Sequence, residues 1–410
     1  MTTLTFRHIG GVIQNDLTVS DDALALIDKR TKHVTSKYRN NENFDIQRYD
    51  VGETVETTLL VGTISERKTR NGKDYLAFNF TNPNGNYRGK HWCNQGENIT
   101  ILEQLKEHRV FNVNMTVDSY NGEKNLVIHR MSPVTGVDPA LFLPSGNVDR
   151  QEEIKALTAY IDQLSPTYQA ICNRLLATLG KDFIDAPAAT FYHHNYVGGL
   201  LKHTVGLMHV AHYLMQGHTV DNLITIIDRL HQYRKDELAR ESILEDGDQT
   251  PVDYLIWNDV VDYLYTIAGK IAHDKSEINY DHVMTSILFH DTGKLMEYKY
   301  AGRTDKAYQY LFGDSIQQVE GSFDIDPLGQ LIGHIPLSAM LFRDIAREVE
   351  DTPDVTAMTH VMHNILSHHA KPEWGSCTKS PQTLDAWLVH IADYIDSRYD
   401  REDQYQQTHA

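Results

Sequence analysis

Hydrophobic and polar positions divide the chain into two textures. Between residues 51 and about 135 they alternate. In DYLAFNFT (74–81), Leu76, Phe78 and Phe80 oppose Tyr75, Ala77 and Asn79, the period of a strand with one buried face. VETTLLVGTIS (55–65), YRGKHWCN (87–94), VFNVNMTVDSY (110–120) and KNLVIHRM (124–131) complete five expected strands. Asn-Gly pairs at 71–72, 84–85 and 121–122 offer the positive-φ positions of tight hairpin turns. One helical stretch, ENITILEQLKEH (97–108), falls between the third and fourth strands. From about 150 the apolar spacing is helical: 165–180, with Ser165 at the cap, Pro166 at the first position and Gly180 at the stop, then 197–215, 280–295, 328–349 and 380–400. Before residue 51 only SDDALALIDKR (20–30), capped by Ser20, reads as an element.

Five strands with a helix between the third and fourth is the order of an OB-fold, a small barrel that often binds single-stranded nucleic acid. The fold class expected is therefore multidomain α+β: an all-β OB-fold barrel followed by an all-α domain. Residues 1–50 read as an extension without assigned role, 51–135 as the barrel, 136–150 as a Pro/Gly-rich linker and 151–410 as the helical domain. The charged run 232–250 reads as a surface excursion.

Composition narrows the function. The 410 residues carry a formal charge of −18, so bulk attraction to nucleic acid or anionic membrane is excluded. Residues 51–135 carry ten Lys/Arg against nine Asp/Glu, a balance of +1. There Arg67, Lys68, Arg70, Lys73, Tyr75, Phe78, Tyr87, Arg88, Lys90 and Trp92 interleave cations and rings, as a site for phosphates and stacked bases requires. Phe78 and Phe80 are assigned to the barrel interior instead. The three cysteines, Cys93, Cys172 and Cys377, form no CxxC, and the start of the chain shows no signal peptide. No apolar run reaches the ~20 residues of a membrane span. These features fit a cytoplasmic protein.

The chemistry is carried by histidine, 22 in an acidic chain. In the helical half they stand at His193-His194, His203, His290-Asp291, His334, His368-His369 and His390 near Asp393. A mixed set of imidazoles and carboxylates over five helical segments suits a divalent transition metal such as Mn, Fe, Co, Ni or Zn.

In its order, H…HD…D, this set resembles the HD-domain metal-dependent phosphohydrolase superfamily, with His203, His290, Asp291 and Asp393 at the four positions. FYHHNYVGGLLKHT (191–204), LFHDTGKLMEY (288–298), GQLIGHI (329–335), LSHHAKPEWGS (366–376) and LDAWLVHIADYIDS (384–397) resemble the YhaM-type 3′→5′ exoribonucleases more narrowly. The resemblance covers roughly 51–400. It implies an HD-type helical domain behind an OB-fold, divalent metal (manganese first, with Co, Fe, Ni, Mg or Zn as alternatives), 3′→5′ degradation of single-stranded RNA with some action on DNA, and self-association. The chain departs from the family at Lys202, where an acid is usual, in the long stretch between His203 and His290, and in its first 50 residues.

The residue types suit these roles. Asp291 has two oxygens and can bridge two metals. His203, His290 and Asp393 would complete one, and His334 and His368 the second, with His369 as an extra ligand or phosphate contact. Two ions about 3.5–4 Å apart activate hydroxide against the 3′-terminal phosphodiester and release nucleoside 5′-monophosphates. Lys294 is placed to neutralise a phosphate oxygen, and His193 and His194 to line the substrate pocket. Asp396 reads as an exposed carboxylate or cap partner. His390 reads as ligand support or a core histidine. Two other functions fit the same residues: an HD nucleotidase or cyclic (oligo)nucleotide phosphodiesterase with an accessory barrel, and a non-catalytic single-strand-binding protein.

Overall fold

In the computed structural model, residues 1–34, 43–69, 72–92, 95–120, 123–146, 148–189, 196–242, 255–315, 324–374 and 379–409 are described. Arg70, His193, His194, Cys93, Cys377 and the end of the charged run (243–250) lie outside them.

The chain opens with a hairpin, β1 (Thr2–His8) and β2 (Ile13–Val19), followed by α1 (Asp21–Thr31), whose Ala23 N–H is capped by Ser20 as expected. The hairpin packs on the helical body rather than on the barrel. Asn15, fully buried, donates its amide to the Tyr160 hydroxyl and the His209 carbonyl at 2.8 and 2.9 Å.

β3 (Thr54–Lys68), β4 (Asp74–Asn82), β5 (Gly85–Trp92), β6 (Val110–Tyr120) and β7 (Glu123–Pro133) close into a barrel of order β3-β4-β5-β7-β6, with α2 (Gln95–Glu107) between β5 and β6. The element order is the one expected and is consistent with an OB-fold. Leu76, Phe78 and Phe80 point into the barrel core, and so does Tyr87, whose hydroxyl donates to the Phe44 carbonyl. The hairpin turn at 83–84 differs from expectation: Asn82 pairs with Gly85, and neither Asn84 nor Gly85 has positive φ, so Pro83-Asn84 makes the turn.

The helical body comprises α3 (Arg150–Asp162), α4 (Pro166–Asp185), α5 (Gly199–Leu214), α6 (Thr219–Ser242), α7 (Ile256–Ile271), α8 (Tyr280–Phe289), α9 (Lys294–Glu297), a two-residue pairing of β8 (Tyr298–Lys299) with β9 (Asp324–Ile325), α10 (Lys306–Phe312), α11 (Pro327–Ile332), α12 (His334–Ala346), α13 (Val355–Ser367) and α14 (Leu384–His409). Buried apolar side chains of α3–α5, α7, α8 and α12–α14 form one continuous core. Five expectations are corrected, the first being the helix expected over 280–295, which ends at Phe289. Gly180 does not stop α4, which runs five residues further, and Ser165 makes no side-chain cap bond. The helix expected over 328–349 breaks at Gly333, which places His334 at the head of α12. The charged run begins as the end of α6 rather than as a loop.

Residues between barrel and body are packed as well. Ser145 donates to the Pro83 carbonyl, Thr81 donates to the Phe142 carbonyl, and Leu143 and Val148 are buried. Replacing Asn15 with alanine removes two buried hydrogen bonds, although the Tyr160 hydroxyl keeps His209 Nδ1 at 2.7 Å, at a cost of about 1–3 kcal/mol. The urea midpoint of the Asn15→Ala protein should fall accordingly, and an unchanged midpoint contradicts docking of the hairpin on the body.

Candidate active site

Six elements bring their ends or faces to one point. α5 supplies His203 from its second turn, and α8 ends at His290 with Asp291 beyond it. His334 heads α12, His368 caps α13, and Asp393 comes from the middle of α14. α9 approaches the head of α12 so closely that a Cβ on Gly293 would lie 2.0 Å from the His334 carbonyl oxygen.

Asp291 is the centre. Its Oδ2 lies 3.6 Å from His203 Nε2, 3.3 Å from His290 Nε2 and 2.6 Å from Lys294 Nζ. Its Oδ1 lies 3.5 Å from His334 Nε2 and 3.9 Å from His368 Nε2. Asp393 Oδ1 is 3.2 Å from His203 Nε2. Two candidate metal clusters result, His203-His290-Asp291 and His334-His368-His369, each with its ligand atoms within 4.8 Å of one another.

The donor set fits metal ions on its own chemistry. In four imidazoles Nδ1 is already committed: His290 to the Ile287 carbonyl, His368 to the Ile365 carbonyl, His203 to Asp396 and His334 to Glu297. Each acceptor takes the Nδ1 proton, so each Nε2 would offer its lone pair to an ion once any proton on it, as on His203, is displaced. Asp291 Oδ1, His334 Nε2 and His368 Nε2 are buried without a hydrogen-bond partner, a costly arrangement unless something else binds there.

Electrostatics follow from burial and crowding. Burial opposes charge on His203, but Asp393 and Asp396 push its pKa up to about 10. Burial and the neighbouring His369 and His290 hold His368 well below the imidazole range, so it is neutral. Asp291, despite burial, is held well below the carboxylate range by His290, Lys294 and His334. Lys294 also donates to the Ala188 carbonyl at 2.7 Å; burial opposes its charge, but Asp291 raises its pKa above the lysine range. His369 borders the pocket, followed by Ala370 at φ 60°, a left-handed conformation that costs a residue with a Cβ roughly 1–2 kcal/mol.

Two supporting carboxylates escape a reading of the sequence. Asp396 is buried, not exposed, and fixes His203 at 2.8 Å. α5 passes so close that a Cβ on Gly206 would meet its Oδ1 at 1.9 Å. Its three-residue spacing from Asp393 on α14 was the available signal. Glu297, one turn past Lys294, holds His334. His390 is buried and donates Nδ1–H to the His368 carbonyl at 2.6 Å. From behind, His8 of the N-terminal hairpin reaches Asp396 Oδ1 at 3.3 Å, and the Gly10 N–H donates to the Tyr399 hydroxyl. Lys202 is paired with Asp400 and Asp403.

On the barrel, Arg88, Lys90 and Trp92 of β5 lie across from Asn79, Ala77 and Tyr75 of β4. The Tyr75 and Trp92 rings are 5.5 Å apart, and Lys73 Nζ stands 4.6 Å from the Trp92 ring. Arg67 is opposite Tyr75, whereas Lys68 is opposite Asp74 and pairs with it at 3.4 Å. Strand alternation thus puts Arg67, not Lys68, beside the rings. Arg88 is exposed beside Glu123 at 3.6 Å.

No protein-family model matches the chain. It is similar to curated proteins named 3′-5′ exoribonuclease YhaM. The relative from Bacillus licheniformis is 27% identical over 365 residues, 88% of this chain and 90% of the relative. The one from Bacillus subtilis is 26% identical over the same shares, and that from Listeria innocua is 25% identical over 87% and 89%. The resemblance read from the motifs is borne out, and with it the reading of the chain as an enzyme. Among the described residues no helix is long and apolar enough to cross a membrane.

His203 should give the metal-free protein a signature. Its folded pKa of about 10 exceeds the ordinary value of 6.5, so its stabilisation is complete below pH 6.5 and is lost as pH rises through 10. The metal-free protein should melt lower at pH 10 than at pH 7, and Asp396→Asn should flatten that slope. An unchanged slope in the variant contradicts the His203–Asp396 pairing.

Proposed function

We propose that the protein is a divalent-metal-dependent 3′→5′ exonuclease acting on single-stranded RNA, and that it accepts single-stranded DNA more weakly. The observation that carries this reading is the convergence of four imidazole Nε2 atoms on the two oxygens of Asp291, three of these buried atoms having no hydrogen-bond partner. The likeness to proteins named 3′-5′ exoribonuclease supports the substrate and the direction.

Asp291 Oδ2, His203, His290 and Asp393 would hold one ion. Asp291 Oδ1, His334 and His368 would hold a second, with His369 beside it. When bound, two such ions supply Lewis acidity and activate water for attack on phosphorus. The chain's own groups do the rest. Asp396 and Glu297 keep the proton of His203 and His334 on Nδ1. Lys294 remains cationic and offers charge to a phosphate oxygen. The barrel gathers the strand on the Tyr75–Trp92 platform flanked by Arg67, Lys73, Arg88 and Lys90, in a segment with ten Lys/Arg against nine Asp/Glu. Expectations for the physiological metal, manganese, and for a cytoplasmic setting stand on the donor set and on the scattered cysteines.

The test is an end-labelled single strand incubated with manganese. The wild-type protein should shorten it from the 3′ end to mononucleotides. Hydrolysis of cyclic or mononucleotides alone contradicts the reading. Asp291→Asn should abolish cleavage and keep strand binding in a filter assay, and a variant that still cleaves contradicts the site. Trp92→Ala should weaken strand binding by about 1–3 kcal/mol, the worth of one stacked base, and leave hydrolysis of bis(p-nitrophenyl) phosphate unchanged. Equal loss on both substrates contradicts a binding role for the barrel.

A further inference from the structure

We propose that Arg398 is the phosphate clamp of the catalytic cleft: its guanidinium binds a phosphodiester of the strand as it enters. The proposal rests on the function given above and names the group that recognises its substrate. Arg398 follows Asp393 on α14 and lines the same cleft of about 280 Å³ as His203, Asp291 and Lys294.

Charge singles it out. In a chain of net charge −18, a cation in a cleft normally finds a carboxylate. Lys294 has done so, at 2.6 Å from Asp291. Arg398 has not: among the described residues no carboxylate lies within ion-pair distance of it. Its Nη1 donates to the Tyr394 carbonyl at 2.9 Å and to Ser397 Oγ at 2.8 Å. It also makes a side-chain hydrogen bond to the Tyr394 hydroxyl, a neutral partner that leaves its charge uncompensated.

The group is also held in place. Its Cζ lies 3.6 Å from the centroid of the buried Tyr394 ring. Tyr394 packs against Tyr263 at 4.7 Å, and the Tyr263 hydroxyl is 3.0 Å from His390 Nε2. His390 in turn donates to the carbonyl of His368. The guanidinium plane is therefore fixed by the same rings that support a metal-site imidazole. A fixed, stacked guanidinium without a carboxylate partner loses little entropy on binding, and its fork matches two phosphate oxygens. Arg398 is not a helix-terminal cation, since α14 runs on to His409.

The test uses the full-length, manganese-loaded protein and its Arg398→Ala and Arg398→Lys variants. Calorimetry with adenosine 5′-monophosphate and with adenosine reads the phosphate alone. Alanine should weaken the monophosphate about tenfold or more and leave adenosine unchanged, and lysine should restore part of the loss. On the labelled strand, alanine should raise KM more than it lowers kcat. The proposal is overturned if the monophosphate binds wild type and alanine variant equally, or if both ligands weaken together, which is the outcome of a packing role on Tyr394. The calorimetry needs no turnover. A wild-type protein that cleaves no strand contradicts the function proposed above, while the ratio of the two ligand affinities still decides the role of Arg398.

Discussion

Everything in the helical body is arranged around one buried carboxylate. Asp291 receives four imidazole nitrogens on its two oxygens and stays ionised although it is almost fully excluded from water. An isolated charge at that depth costs several kcal/mol, and its neighbours must repay it. In the protein alone only Lys294 and the imidazoles do so, and three polar atoms remain unsatisfied. That imbalance is the strongest physical argument that the site is built to hold cations, because positive charge is what all of its free lone pairs lack.

The scaffold makes the convergence possible by sacrificing local regularity. Gly333 interrupts what would be a single helix, so that His334 stands at a helix head. Gly206 and Gly293 remove side chains where α14 and α12 press closest. Ala370 accepts a left-handed backbone beside His369. The N-terminal hairpin closes the back of the site by placing His8 on Asp396, the residue that orients His203. A segment with no chemistry of its own thus takes part in orienting His203.

The five barrel strands and helices α1, α2, α4, α5, α8, α12 and α14 are legible in the sequence, because their periodicity is strong, whereas α3, α6, α7, α10 and α13 are not. The candidate ligands are legible through order along the chain: His203, His290-Asp291 and Asp393 follow the H…HD…D succession. What is not legible depends on tertiary placement. Asp396 looks like any exposed helix acid until α5 packs on it. The hairpin of residues 2–19 has a weak alternation that gains meaning only when Asn15 meets Tyr160 and His209. Lys68 and Arg67 are adjacent and chemically alike. Register alone turns one to the Tyr75 side and the other to Asp74.

The most direct measurement is anomalous diffraction at the manganese edge from crystals soaked in manganese. The account predicts two peaks about 3.5–4 Å apart, one on each oxygen of Asp291, the first within reach of His203, His290 and Asp393 and the second of His334 and His368. A map with no peak at Asp291, with the imidazoles turned to other partners, would contradict it.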